Sequence, residues 1–224
     1  MMQTFSELVL YKDHHIVVCY KPATMPVQDD LTEDASLQFY MEKYFKQKLH
    51  LCNRLDRPAA GLVVFGKHAA VQTEIQTQME RSEFKKKYLV LVSKKDEKLL
   101  PELKHYIKKQ TSGKSWIQNN PSEGFVEVTL KTSYIQEGNH YDLIEIETGT
   151  GKFHQIRAQL SAAGFPIKGD VKYGARRKNE DRSIALLAWQ LNFKHPSTKA
   201  DLEFFSPWPD HDIWNYFEPK KSTV

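Results

Sequence analysis

Hydrophobic and polar positions alternate from the start of the chain. LVLYKDHHIVVCYKP reads as two short strands around a turn at Asp13-His14, and Pro22 and Pro26 then break the run. In DASLQFYMEKYFKQK, residues 34–48, the positions Leu37, Met41, Tyr44 and Phe45 share helical spacing behind an Asp34 cap. GLVVFGK, residues 61–67, reads as a buried strand, and HAAVQTEIQTQMER puts Val71, Ile75 and Met79 on one helical face. KKYLVLVS is a further strand. Residues 94–124 are polar and without a clear period, which predicts a loop-like insertion, mobile or in contact with substrate. FVEVTLKTSYI and YDLIEIET alternate in period two around EGNH, the pattern of a hairpin. TGTGKFHQIRAQLSAAG then changes period: Gly149 and Gly151 form a turn, Phe153, Ile156 and Leu160 mark a helix face, and Gly164 closes it. SIALLAWQLNF and ADLEFFS read as late strands and PWPDHDIWNYF as a short closing helix. The whole predicts an α+β fold: a mixed, largely antiparallel sheet with flanking helices, in one domain over residues 1–224.

Composition narrows the class. With 224 residues, 40% of them hydrophobic and 12% aromatic, the chain has material for a substantial core, which excludes disorder. Its apolar runs, such as residues 184–189, fall far short of the ~20 residues of a membrane span. MMQTFSELVL lacks the layout of a secretory signal. Cys19 and Cys52 lie in or near apolar runs, which fits buried free thiols and a cytoplasmic protein. No Cys/His cluster has zinc spacing, so no metal is expected. The net charge of +4 is a weak hint of an anionic partner. Its distribution says more: FKKKYLVLVSKK, KHYIKKQTSGKSW and KYGARRKNEDR each mix cations with Tyr, Trp or Gly. One such run is an ordinary solvated loop. Three in one chain tilt the reading towards nucleic acid, since cations contact phosphates and aromatics stack on bases.

Two stretches carry candidate chemistry. In LCNRLDRPAAGL, Asp56 stands between Arg54 and Arg57, and Pro58 biases Arg57 towards an extended conformation. A carboxylate on a rigidly flanked loop is a common catalytic placement, although most turn aspartates only cap backbone amides. In GTGKFHQIRAQL, a glycine turn opens a helix and leaves backbone N–H groups that suit a phosphate, without the spacing of a nucleotide-binding loop. Arg157 lies at the margin of the apolar face, where a guanidinium takes either a fixed carboxylate or solvent.

NRLDRPAAGLVVFGK resembles the catalytic motif of the RluA-type RNA pseudouridine synthases, usually His-Arg-Leu-Asp followed by Ser/Thr-Gly and an apolar strand. Three more stretches match in order. FKKKYLVLV resembles the family's Lys-x-Tyr strand, and TGTGKFHQIRAQLSAAGFPIKGDVKYG resembles its His-Gln-Ile-Arg helix and Gly-Asp-x-x-Tyr-Gly turn. IALLAWQLNFKHPSTKADLEFFSPWP resembles the closing strands, so the match runs over about residues 8–209. The resemblance implies a pseudouridine synthase fold with a central cleft, and cofactor-free isomerisation of uridine within RNA. It implies that Asp56 attacks the sugar or assists departure of uracil. Tyr88 packs on the base as a candidate proton acceptor, and Arg157 pairs with Asp56. The same alignment marks Arg54, Asn53, Arg57, Lys86, His154, Gln155 and Lys168 as candidate RNA contacts. Arg54 is placed to fill the gap left by the extruded base, and Arg57 otherwise reads as structural. Two positions depart from the pattern: Asn53 and Leu187 stand where histidines are usual, and Asn53 is placed to alter the fit to RNA. The family's separate N-terminal RNA-binding domain is expected to be absent, a form that resembles enzymes acting on tRNA or exposed rRNA stem-loops, with tRNA favoured. A monomer is expected.

Two other readings compete: a catalytically silent RNA-binding relative, with Asn53 as its clue, and a nucleoside hydrolase using Asp56, against which the basic aromatic loops argue. Ordinary roles are expected elsewhere. His14, His15, His105, His195 and His211 read as surface or loop residues. Trp189, Trp208 and Trp214 read as core, and Lys168 with Asp170 as a turn near the cleft.

Overall fold

In the computed structural model, which describes residues 5–30, 32–210 and 212–217, one eleven-stranded sheet runs through the molecule. The first strands are β1 (Val9–Lys12) and β2 (Ile16–Lys21), which turn at Asp13 as expected. Helix α1 (Leu37–Phe45) follows, then the short β3 (His50–Leu51), β4 (Ala60–Gly66) and helix α2 (Ala69–Glu80). Next come β5 (Lys85–Ser93), β6 (Glu102–Lys109), β7 (Ser115–Gln118), β8 (Val126–Glu137) and β9 (Tyr141–Glu147). Helix α3 (Gln155–Ala162), β10 (Leu186–Lys194), β11 (Asp201–Phe205) and a 3-10 turn (Asp212–Tyr216) complete the order. The strands line up as β1-β2-β4-β10-β5-β9-β8-β6-β7, with β3 beside β4 and β11 beside β10.

All pairings are antiparallel except β4 with β10, which meet only at Ala60–Leu187 and Gly61–Ala188. Gly61 permits that meeting. Its φ is +127°, and a Cβ there would sit 2.4 Å from the Ala188 carbonyl oxygen. Strands β2 and β4 bury both faces. Val17, Cys19, Val63 and Phe65 pack with Leu37 and Met41 of α1 on one side. Ile16, Val18, Leu62 and Val64 pack with Val71 and Ile75 of α2 on the other. The largest cluster lies at the centre, where β5, β9 and β10 meet Ile156 and Leu160 of α3 and the tryptophan side chain of Trp214. Cys19 and Cys52 are buried free thiols. Among the described residues, no helix is long and apolar enough to cross a membrane.

Residues 94–124 differ most from expectation. They form the β6–β7 hairpin at the sheet edge, paired with β8. The inward positions are Leu103, His105 and Ile107, and His105 is buried against Gln159 instead of lying on the surface. A histidine in the apolar register masked the period. Ser36 rather than Asp34 caps α1, its Oγ accepting from Phe39 N at 3.1 Å, because Asp34 is drawn to Arg57. His195 is also buried: its Nδ1 accepts from Ser197 and Thr198 N–H groups, and its Nε2–H donates to Asp13 at 2.8 Å. His211 lies outside the described residues.

Candidate active site

Three elements converge on one open cleft. The loop before β4 supplies Arg54, Leu55 and Asp56, β5 supplies Tyr88, and residues 148–157 supply the opposite wall with Arg157. The loop before β4 is held from behind. Lys21, fully buried, donates to the carbonyls of Pro22, Met25 and Arg57 at 2.8, 2.8 and 3.1 Å. Burial pulls its pKa down to about 7, opposed by the nearby Asp56 charge and reinforced by Arg57. Nothing in the sequence marks this lysine as different from its neighbours.

The two arginines flanking Asp56 in sequence turn away from it. Arg57 donates to the Thr24 carbonyl at 3.0 Å and pairs with Asp30, Asp34 and Thr32, so it braces the preceding acidic loop. Arg54 is exposed at the rim of the cleft. The guanidinium that meets Asp56 is that of Arg157, 101 positions later: Nη1 donates to Asp56 Oδ2 at 3.1 Å. Arg157 is itself gripped by Asp170, through Nε at 2.7 Å and Nη2 at 2.8 Å, and both side chains are almost wholly buried. Asp170 therefore does more than shape a turn. It fixes the arginine that fixes Asp56. The turn that presents it needs Gly169, whose φ is +87° and whose Cβ would fall 2.6 Å from the Ser183 carbonyl. Asp56 Oδ1 receives no hydrogen bond from the described residues.

His154 caps α3 from a left-handed conformation, φ 52°, with its ring stacked on Phe153 at 3.8 Å. Ser115 N–H donates to Tyr173 Oη at 2.7 Å, leaving that hydroxyl to donate to His154 Nδ1 at 3.0 Å. The Nε2 then carries the proton and faces Asp56 Oδ2 across 3.8 Å, too long for a hydrogen bond. Burial and the Arg157 charge hold its pKa at about 3, so the ring is neutral. Tyr88 is buried on β5. Burial and then the Asp56 charge push its pKa up, so it keeps its proton. Gln155 is buried behind the wall: Oε1 accepts from Thr150 Oγ1 and Lys152 N, and Nε2 donates to Gln159 and Thr148, which sets the 148–152 loop.

The remaining candidates divide. Lys86 is buried near Gly151. Asn53 is buried, its Oδ1 accepting from Val64 N at 2.7 Å and its Nδ2 donating to the Leu62 carbonyl at 3.2 Å, so it joins its loop to β4 rather than facing RNA. Lys168 donates to Asn179 at 2.7 Å, outside the walls of this cleft. Leu187 is fully buried in β10, where an imidazole would lie in the core. Among the described residues, no group of three potential metal ligands comes together.

The family model for RNA pseudouridylate synthase matches residues 15–162. The chain belongs to that family, in the RluA-type branch, and is an RNA pseudouridine synthase, an isomerase. The ribosomal large subunit pseudouridine synthase C of Buchnera aphidicola is 27% identical over 91% of this chain and 67% of its own length. The tRNA pseudouridine synthase C of Vibrio vulnificus is 27% identical over 87% of each chain. The fold is shared with the human RNA pseudouridylate synthase domain containing 1, at a TM-score of 0.73 and 21% identity over 89% of this chain and 82% of that one.

Proposed function

We propose that the chain converts uridine to pseudouridine in a structured RNA through Asp56, with tRNA as the substrate class. The observation that carries this reading is the state of Asp56: one carboxylate oxygen anchored by Arg157, the other open to the cleft beside Tyr88. A carboxylate acting on a glycosidic carbon needs a fixed position and a free oxygen. Asp56 engages the ribose as the bond from C1′ to uracil N1 breaks, and the electron pair leaves with the base. The base turns, C5 bonds to C1′, C5 gives up its proton and N1 gains one. Tyr88 supports the base as a ring and hydrogen-bond donor. Its raised pKa argues against the proton-acceptor role, because a phenol that holds its proton is a poor base. Arg54 at the rim is placed to enter the stack that the uridine leaves.

RNA contact extends over the β6–β7 hairpin. Trp116 is 55% exposed there, Lys109 lies 4.6 Å over Phe153, and Lys108 lies over Phe125. The tRNA assignment rests on relatives of that name, which match across most of both lengths. Reduced thiols and an RNA substrate fit a cytoplasmic site of action. The test uses cellular RNA from a strain lacking the gene, labelled with tritium at uridine C5. Release of tritium by the wild type and none by Asp56→Ala is expected. No release by the wild type, with RNA bound, overturns the reading in favour of a silent binding relative.

A further inference from the structure

Three cationic side chains among the described residues are more than nine-tenths buried: Lys21, Arg157 and Lys86, the last 6% exposed. Lys21 has three carbonyl acceptors and Arg157 two carboxylates. Lys86 has neither an ion pair nor a hydrogen bond to any described residue. Its neighbour Lys87, by contrast, pairs with Glu145 at 2.9 Å. The Lys86 side chain is largely buried and its ammonium, at the accessible end, has no protein partner, and burial lowers its pKa. Such a group persists where something outside the chain satisfies it.

Its surroundings say what that is. Lys86 is two residues before Tyr88 on β5, so both side chains stand on one face, roughly 7 Å apart along the strand. Its Nζ reaches the 148–154 loop, 3.1 Å from where a Cβ on Gly151 would lie. The φ of Gly151 is outside the left-handed region, so backbone conformation does not demand a glycine there, and its bare Cα lets the ammonium lie close against the loop. Gly149 has open space on its Cβ side. In this loop the N–H groups of Thr150 and Lys152 are taken by Thr148 and Gln155, which fixes its shape. Those of Gly149, Gly151 and Phe153 have no partner among the described residues. The loop leads directly into α3, whose N-terminal end favours negative charge. An unpaired ammonium on a largely buried side chain, free amides and a helix start call for an oxygen anion.

We propose that Lys86 and the Gly149–Phe153 loop form a subsite for one phosphodiester group of the RNA, adjacent to the uridine held over Tyr88. The inference rests on the RNA reading above and adds the chemistry of one contact. The phosphate flanks the target on its 5′ or its 3′ side, and Lys86 neutralises it as the nucleotide enters the cleft.

The test pairs Lys86→Met with RNA substrates carrying a neutral methylphosphonate on either side of the target uridine. For the wild type, one of the two substitutions is expected to raise KM about 10- to 100-fold with little change in kcat, as loss of one charge-assisted contact does. Lys86→Met is expected to show that same rise on unmodified RNA and no further rise on that methylphosphonate. The side that matters identifies which phosphate is bound. The variant should unfold at no lower a temperature than the wild type, because it removes an unpaired, partly desolvated charge, and this separates a binding role from a structural one. Lys85→Met, on the exposed neighbour, should leave KM nearly unchanged. A wild type that releases no tritium defeats the RNA reading itself. An active wild type with additive losses from Lys86→Met and methylphosphonate, or a Lys86→Met variant with wild-type KM, defeats this inference alone.

Discussion

Asp170→Asn isolates the grip on Arg157 while keeping the shape of the side chain. The wild-type guanidinium makes bonds of 2.7 and 2.8 Å to Asp170 and 3.1 Å to Asp56. Removing one partner of a buried ion pair costs ~3–5 kcal/mol. Asp56 still offsets part of the arginine charge, which places this case near the lower figure. For a chain of this size each kcal/mol moves the melting temperature by ~2–4 °C, so a drop on the order of 10 °C is expected. Activity should suffer separately. An asparagine offers one acceptor oxygen where the aspartate offered two, and its NH2 faces the other Arg157 donor, so Arg157 loses its bidentate grip and no longer sets the position of Asp56, and misplacement of a reacting group by ~1 Å lowers the rate about 100-fold. The assay is tritium release at saturating RNA, well below the variant's melting temperature, beside a thermal melt. A fall in kcat with KM nearly constant is the expected split. A variant with wild-type kcat and a melting temperature within ~2 °C of wild type would show that α3 alone positions Arg157, and the role given to Asp170 would be wrong.

Tyr88→Phe should leave the melting temperature nearly unchanged, because no described residue bonds the hydroxyl, and should lower kcat by no more than about 10-fold, as loss of one hydrogen bond to the base does, since a phenol that keeps its proton is a poor base; a fall of about 100-fold or more would restore the proton-acceptor role. Lys21→Met strands three carbonyls and should lower stability by at least ~3 kcal/mol in urea titrations. The folded-state pKa of Lys21, about 7, lies below its usual 10.5, so the folded chain binds fewer protons between those values and Lys21 makes stability rise with pH there; the variant should lose that part of the rise, and parallel pH curves for the two proteins would contradict it. Trp116→Ala should fold normally and bind RNA with ~1–3 kcal/mol less affinity, as loss of one stacking platform does; equal affinity in a filter-binding assay would remove the β6–β7 hairpin from the RNA surface.

Local pattern carried the fold well where one face was apolar and the other wet. Strands β1 and β8 and helix α2 follow the period that predicts them. It failed at β6, where His105 occupies an inward position and finds its partner, Gln159, on α3. The same cause hid the buried polar residues. His195 pairs with Asp13 from 182 positions away, and Lys21 satisfies carbonyls whose direction only the folded loop sets. Motif matching singled out Asp56, Tyr88 and Arg157 from their local contexts, and the fold brings the three to one cleft. It did not assign Asp170 to Arg157, since a carboxylate thirteen positions from an arginine becomes its partner only when the turn at Gly169 brings it back.

The sequence surrounds Asp56 with two arginines, and the structure uses neither to hold it. The reason is positional. A side chain next to Asp56 in the loop would move with it and add no constraint, whereas Arg157 comes from a helix packed against another part of the sheet. Anchoring across elements makes the carboxylate position a property of the whole domain. The order of bond lengths matters too. Arg157 gives its two shorter bonds to Asp170 and one longer bond to Asp56 Oδ2, so it orients the reacting group without saturating it. Had the bidentate grip fallen on Asp56, both of its oxygens would be engaged and neither would be open to ribose. Asp170 takes the strong pairing, and the single bond that remains holds Asp56 in place with Oδ1 open to the cleft.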